Sequence, residues 1–492
     1  MDRAAPFAGP GEVDVRAGLP PAMRPGPDER RRLAETAVAT LAGNWTGAAT
    51  LPSRTQYPHQ WSWDSAFIAI GLARIDQDRA QRELLGLLRA QWDTGRLPHI
   101  VYGDTEDESY FPGPGFWDSR GVPDAPAVRT SGIVQPPVHA RAALTVCTRA
   151  GDEAAAVRFL AEAYPKLAAQ HRYLRERRDL DGGGLACIVH PWESGTDNSP
   201  AWDPFLAQFT EARCAFVRQD MVHVPADERP SDADYSAYIA LAESYRDIGY
   251  DDLKLLDKHG FTVEDPLFNA ILLDGELCLA EIARRLGRDP EPHLRAARVV
   301  HRGLMERLWD DERGTFVARD VRTGVRGTAA TIAGFAPLLD PWLPAGVRDR
   351  LVGLLLSPAF MGGCRHPVPT YDLREPNFDR RRYWRGPTWV NTNWLLWVGA
   401  LRAGRPDIAR TISASTLDLV ERSGFREYFD PVDGGGRGAH DFSWSAALAL
   451  DMLAADDGAV PLPSIVHDGA RRLDASTAGR IGAVARPAAA DR

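Results

Sequence analysis

Lysine is almost missing from this chain. Lys166, Lys254 and Lys258 are the only ones in 492 residues, and arginine carries the rest of the positive charge. That skew reads as coding bias and carries no catalytic meaning. Cysteine is scarce as well: Cys147, Cys187, Cys214, Cys278 and Cys364 stand far apart, without the short spacings of a zinc or disulfide framework. They are expected to be reduced, buried thiols. No apolar run reaches the length of a membrane span, and the N-terminus lacks the basic start and apolar stretch of a secretory leader. A membrane partner is therefore not expected, and the cytoplasm is. No basic stripe is present and the formal net charge is -9, which argues against nucleic acid.

Motifs for several chemistries are also lacking. There is no HExxH, and His59, His99, His190 and His440 are scattered, so no catalytic metal and no cofactor is expected. The glycine run DGGGRG at 433–438 lacks both the preceding strand and the Lys-Ser/Thr close of a phosphate loop, and no nucleophile-elbow serine occurs. Alternating strand patterns are rare.

What is present is a chain of ordinary globular composition, 44% hydrophobic and 25% charged, dense in helical periodicity. Apolar residues return at three and four places in RRLAETAVATLAGNW, DSAFIAIGLARI, QRELLGLLRAQW, DPLFNAILLDGELCLAEIARRLG, NTNWLLWVGALRAG and FSWSAALALDML, among others. Roughly a dozen such helices separated by loops suit an all-α, α/α toroid of paired inner and outer helices, and no linker divides them. The expected organisation is a flexible extension at 1–26, one catalytic domain at 27–462 and a flexible tail at 463–492, the ends being rich in Ala, Gly, Pro and Arg.

Four segments concentrate aromatic, amide and carboxylate residues: YPHQWSWDSAF (57–67), HPWESGTDNSPAWD (190–203), RYWRGPTWVNTNW (382–394) and FREYFDPVDGGGRGAHDFSWSAAL (425–448). Each lies at or just before the start of a helical pattern, so loops at one rim would bring them together. Indole faces stack on pyranose rings, and Asp, Asn and Gln satisfy the hydroxyls, which points to a sugar pocket. Any single tryptophan is equally at home in a core.

Glycosidic hydrolysis needs one carboxylic acid to protonate the leaving oxygen and a second carboxylate to activate water or attack carbon. Asp197 follows the SGT turn and precedes NSP; it is either an acid presented by a rigid turn or an Asx-turn and helix cap. Glu427, between aromatics in REYF, is either a carboxyl in an apolar setting or an exposed helix end. Asp64 is either a helix cap or a pocket residue.

In these four segments the chain resembles glycoside hydrolase family 63 and the related six-hairpin glycosidases, most closely the bacterial members that cleave glucosylglycerate or mannosylglycerate. The resemblance runs from about Arg54 to Leu453. It implies an (α/α)6 toroid and hydrolysis with inversion at the anomeric carbon, Asp197 as general acid and Glu427 as general base, with their carboxyl groups about 6.5 to 9.5 Å apart. By the same resemblance Tyr57, Trp61, Trp63, Asp64, Gln135, Trp384 and Trp389 line the site of the non-reducing sugar. Arg229, in ERPSDADYSAY, matches the arginine that serves the glycerate carboxylate, with Tyr110 and Tyr383 as companions. An exposed arginine on a loop leading into a helix is the competing view of Arg229.

The implied substrate is 2-O-α-D-glucopyranosyl-D-glycerate, a small anionic glycoside. Mannosylglycerate, an uncharged α-glucoside such as trehalose, and a carbohydrate-binding role without chemistry are the rivals. Association into a homo-oligomer stays open.

Overall fold

The computed structural model describes residues 26–103, 110–209 and 211–455. The two terminal stretches set apart in the sequence lie outside the described residues, apart from Gly26. The longer helices are α1 (Pro27–Gly43), α2 (Ser62–Leu72), α3 (Gln77–Leu88), α4 (His139–Thr148), α5 (Glu153–Arg177), α6 (Asp232–Asp247), α7 (Pro266–Arg285), α8 (Glu291–Gly303), α9 (Ala345–Leu356), α10 (Val390–Arg402), α11 (Pro406–Ser423) and α12 (Ser443–Ala454). A 310 segment, Ile332–Leu339, lies between α8 and α9.

Two kinds of helix are distinguished by their sequences. Every residue of α2 is buried, as is every residue of the 310 segment Ile332–Leu339. The helices α4, α7, α10 and α12 are nearly as enclosed. Helices hydrophobic all round belong in an interior. The others, such as α3 and α8, bury one stripe only. Packing follows from this difference. The enclosed elements contact one another in the order α2, α4, α7, Ile332–Leu339, α10, α12, and α12 returns to α2. Each is backed by an amphipathic neighbour: α3 on α2, α5 on α4, α8 on α7, α9 on the 310 segment, α11 on α10 and α1 on α12.

The strands are two-residue pieces in the loops. Gln60–Trp61 pairs with Ile100–Val101, Cys187–Ile188 with Val263–Glu264, and Tyr428–Phe429 with Gly436–Arg437, all antiparallel. They brace the loops at the ends of the enclosed helices. Among the described residues no helix is long and apolar enough to cross a membrane.

Candidate active site

One cavity collects all twelve candidate residues from the sequence: Tyr57, Trp61, Trp63, Asp64, Tyr110, Gln135, Asp197, Arg229, Tyr383, Trp384, Trp389 and Glu427. It opens at the N-terminal ends of α2, α10 and α12. Trp63 and Asp64 begin α2, Trp389 is the residue before α10, and Trp444 begins α12. The loops carrying Asp197 and Glu427 close over the same end.

The loop of Asp197 is fixed by its neighbours. After strand Cys187–Ile188 the chain makes a 310 turn, Pro191–Ser194, capped by His190, whose Nδ1 accepts from Trp192 N at 3.0 Å. Gly195 then takes φ 72°, and a Cβ there would stand 2.4 Å from Trp63 Cη2, so only glycine brings this turn against the indole. Asn198 Oδ1 accepts from Trp384 N at 2.9 Å, and Trp202 Nε1 donates to Thr196 O at 2.9 Å.

The three acids of this stretch have three fates. Glu193 is wholly buried and accepts from Arg178 (2.7 and 2.9 Å), Val134 N (3.0 Å) and Val189 N (2.7 Å), which ties this loop to the one carrying Gln135. Asp203 faces outward, paired with Arg385 at 2.5 Å. Asp197 alone lines the cavity.

Burial pushes the Asp197 carboxyl up to about 7; the hydrogen bond from Tyr383 Oη to its Oδ2 (3.2 Å) pulls the other way, and the charge of Glu427 adds to the rise. Asp64 is likewise held well above the carboxylate range, first by burial and then by the charges of Glu427 and Asp197. Asp64, Asp197 and Glu427 thus share one indole-lined space, with Asp220 as a fourth carboxyl group on its wall.

Glu427 stands at the base of the hairpin Tyr428–Phe429/Gly436–Arg437, where Glu427 N donates to Ala439 O at 3.0 Å. Its side chain is 1% exposed. Oε1 accepts from Tyr57 Oη (2.7 Å) and Arg229 Nη1 (3.3 Å); Oε2 accepts from Arg229 Nη2 (3.1 Å) and Ala439 N (2.9 Å). Arg229 therefore reaches the cavity wall with its guanidinium already on Glu427, and it lies 4.8 Å over the Tyr383 ring.

The aromatic walls are not equivalent. Trp389 is sandwiched between Trp384 (3.8 Å, 6° between planes) and Tyr428 (4.6 Å, 25°), so both of its faces are taken and it offers the cavity an edge. Trp61 meets Tyr57, Tyr110 and His99 edge to face and has His59 stacked at 6.2 Å. Gln135 Oε1 accepts from Trp63 N at 3.1 Å, which fixes the amide at the wall.

Other wall residues escape a reading of sequence. His99, Asp220, Tyr235 and Phe442 line the cavity too. His99 stays neutral, its imidazole pushed down to about 3 by burial. Tyr235 had one legible signal, its place six residues after Arg229 at the start of α6; Asp220 had none. Among the described residues no group of His, Cys, Asp and Glu could hold a metal ion.

Comparison with known proteins gives a consistent picture. Residues 57–445 match the mannosylglycerate hydrolase MGH1-like glycoside hydrolase domain. The chain is 41% identical over 424 residues to the mannosylglycerate hydrolase of Rubrobacter radiotolerans, covering 85% of this chain and 96% of that one. It is 37% identical over 440 residues to the glucosylglycerate hydrolase of Mycolicibacterium hassiacum, covering 86% and 98%. The crystal structure of the family 63 mannosylglycerate hydrolase from Thermus thermophilus with Tris and D-glycerate superposes with a TM-score of 0.79 at 40% identity, over 85% of this chain and 99% of that one.

Proposed function

Because this chain belongs to the mannosylglycerate hydrolase MGH1-like glycoside hydrolase family, we propose that it cleaves 2-O-α-D-glucopyranosyl-D-glycerate to glucose and glycerate, with inversion. That it is a glycoside hydrolase of the mannosylglycerate and glucosylglycerate hydrolase kind follows from the family. The catalytic part of this reading is supported above all by one observation: Asp197, held up to about 7, lines one cavity with an ion-paired Glu427.

The chemistry follows from that pairing. An inverting hydrolase needs one carboxyl group protonated and one ionised at the same pH. Asp197 keeps its proton near neutrality because charge is costly where it lies, and gives it to the glycosidic oxygen as the C1–O bond breaks. Glu427, beside the Arg229 cation, stands ready to take a proton from the water that attacks C1 from the opposite face. Asp64 and Gln135 would hold sugar hydroxyls, while Trp61, Trp63 and Trp384, with the edge of Trp389 and the hydroxyl of Tyr57, enclose the ring. Arg229, Tyr110 and Tyr383 would meet the glycerate. The closed order of enclosed helices, each with its backing helix, supports an (α/α)6 toroid as the frame.

Mannosylglycerate is the second reading, favoured by the 41% identity to a mannosylglycerate hydrolase. Sugar release from the purified protein, offered glucosylglycerate, mannosylglycerate and trehalose side by side, decides between them. Asp197→Ala and Glu427→Ala serve as controls. Release from none of the three, or release untouched by both substitutions, ends the proposal.

A further inference from the structure

A carboxylate has about four lone-pair positions. All four of Glu427 are filled, by Tyr57 Oη, Arg229 Nη1, Arg229 Nη2 and Ala439 N. A general base must accept a proton from water within hydrogen-bond reach, and a saturated carboxylate has no position left for it. One donor has to leave first.

The four donors differ in their freedom. Ala439 N belongs to a residue held in place by the backbone, since Ala439 O accepts from Glu427 N at 3.0 Å. Tyr57 Oη makes the shortest of the four contacts and also accepts from Arg229 Nη1 at 3.0 Å. The Arg229 Nη1 contact, at 3.3 Å, is the longest, and Nη1 has a nearer acceptor in Tyr57 Oη at 3.0 Å. Only the outer part of Arg229 is free to move, because the chain at its base is bolted to the hairpin of Glu427. Tyr428 Oη donates to Glu228 O (2.8 Å), and Gly438 N and Arg437 Nη1 donate to the Glu228 carboxylate (3.0 and 3.2 Å).

Arg229 also spans both halves of the site. Its guanidinium lies over Tyr383, which donates to Asp197, the group on the leaving-group side. Its Nε–H is buried with no acceptor among the described residues. A carboxylate on the leaving group would supply that missing acceptor and compete with Glu427 for the guanidinium.

We propose that Arg229 is a positioning residue that masks Glu427 in the free protein, and that the negative charge of the substrate's own aglycone draws it aside and opens the base. The inference rests on the glycosylglycerate reading. With the aglycone carboxylate bound, Nη1 leaves Oε1, and the vacated lone pair accepts a water proton. The water oxygen bonds to C1 as the C1–O bond to glycerate breaks, and the proton of Asp197 goes to the departing oxygen. Glu427 ends protonated and Asp197 ionised, and exchange with solvent restores both. An uncharged aglycone then suffers in turnover as well as in binding.

The test compares a glycosylglycerate with its primary amide, which keeps the leaving alcohol and loses the charge. In the unsubstituted protein kcat for the amide is expected to fall on the order of 10²-fold, the scale of a lost general base. Arg229→Gln should bring the two kcat values to within about threefold of each other, and Arg229→Lys should give an intermediate ratio. A wild-type penalty confined to KM overturns the proposal, since Arg229 would then only hold the carboxylate. A kcat gap that persists in Arg229→Gln overturns it too. The wild-type comparison decides alone if that variant does not fold. Failure to cleave any glycosylglycerate would instead remove the functional reading on which the inference stands.

Discussion

Tyr383 Oη donates to Asp197 Oδ2 at 3.2 Å, and the same ring lies 4.8 Å beneath the guanidinium of Arg229. This phenol favours the ionised form of Asp197, against the burial that pushes the carboxyl up to about 7. Activity that needs the protonated acid is therefore full below about 7 and lost as pH rises through it. Tyr383→Phe removes a stabiliser of the carboxylate, so the basic limb of kcat/KM should move up by roughly one pH unit. A limb that stays in place, or moves down, would exclude Asp197 as the group that sets it.

The same strain on Asp197 should be visible in stability. Its pKa is higher folded than the ordinary 3.8, so the folded state binds more protons, and stability falls as pH rises from about 4 to about 7. Asp197→Asn relieves the cost of the buried charge. It should be more stable than the wild type at pH 8 by on the order of 2 kcal/mol, less than the full shift implies because the cavity admits some water, with the difference vanishing near pH 4. Urea denaturation at the two pH values measures this.

Gly195→Ala should damage the acid's turn. The new methyl would sit 2.4 Å from Trp63 Cη2 on a backbone with φ 72°. A cost of about 2–4 kcal/mol is expected, together with at least a roughly tenfold loss of kcat as Asp197 shifts. Chemical denaturation and steady-state rates read the two effects separately. Unchanged kcat would mean the turn does not position the acid.

Glu193→Gln should be costly without touching substrate. Its carboxylate is wholly buried on Arg178, which also meets Asp252 at 3.0 Å. Removing that charge leaves Arg178 partly compensated, so a loss of about 2–4 kcal/mol is expected in urea denaturation. The pH dependence of kcat should keep the wild-type limb.

The candidate residues were legible because carbohydrate chemistry demands side chains that are rare elsewhere, and here they crowd into four segments. Trp61, Trp63 and Asp64 fall within four positions of one another, as do Tyr383 and Trp384 in YWRG. Roles were less legible than places. Glu193 and Asp197 look alike in HPWESGTD, and only Arg178, at the end of α5, reserves the first for the frame. Trp389 reads as a stacking platform until Trp384 and Tyr428 are seen on both its faces. Arg229 reads as an aglycone ligand, and its grip on Glu427 depends on a hairpin almost two hundred residues away. The helices themselves follow from periodicity, whereas the order in which they meet depends on contacts that no local pattern encodes.

That order has a consequence for how the chain can be cut and rejoined. The last enclosed helix, α12, packs against α2 and α1, with Asn44 Nδ2 donating to Ser443 Oγ at 2.9 Å and Arg30 Nη2 to Leu453 O at 2.6 Å. During synthesis α2 must wait for nearly four hundred residues before its final neighbour arrives, and its apolar face stays uncovered until then. Truncation ahead of Ser443 would leave that face permanently bare and the protein prone to aggregation. Because the first and last helices among the described residues lie side by side, joining them with a short linker and opening the chain at an exposed outer turn, such as Gly404–Arg405 before α11, should yield a circular permutant that keeps the contact of α12 with α2.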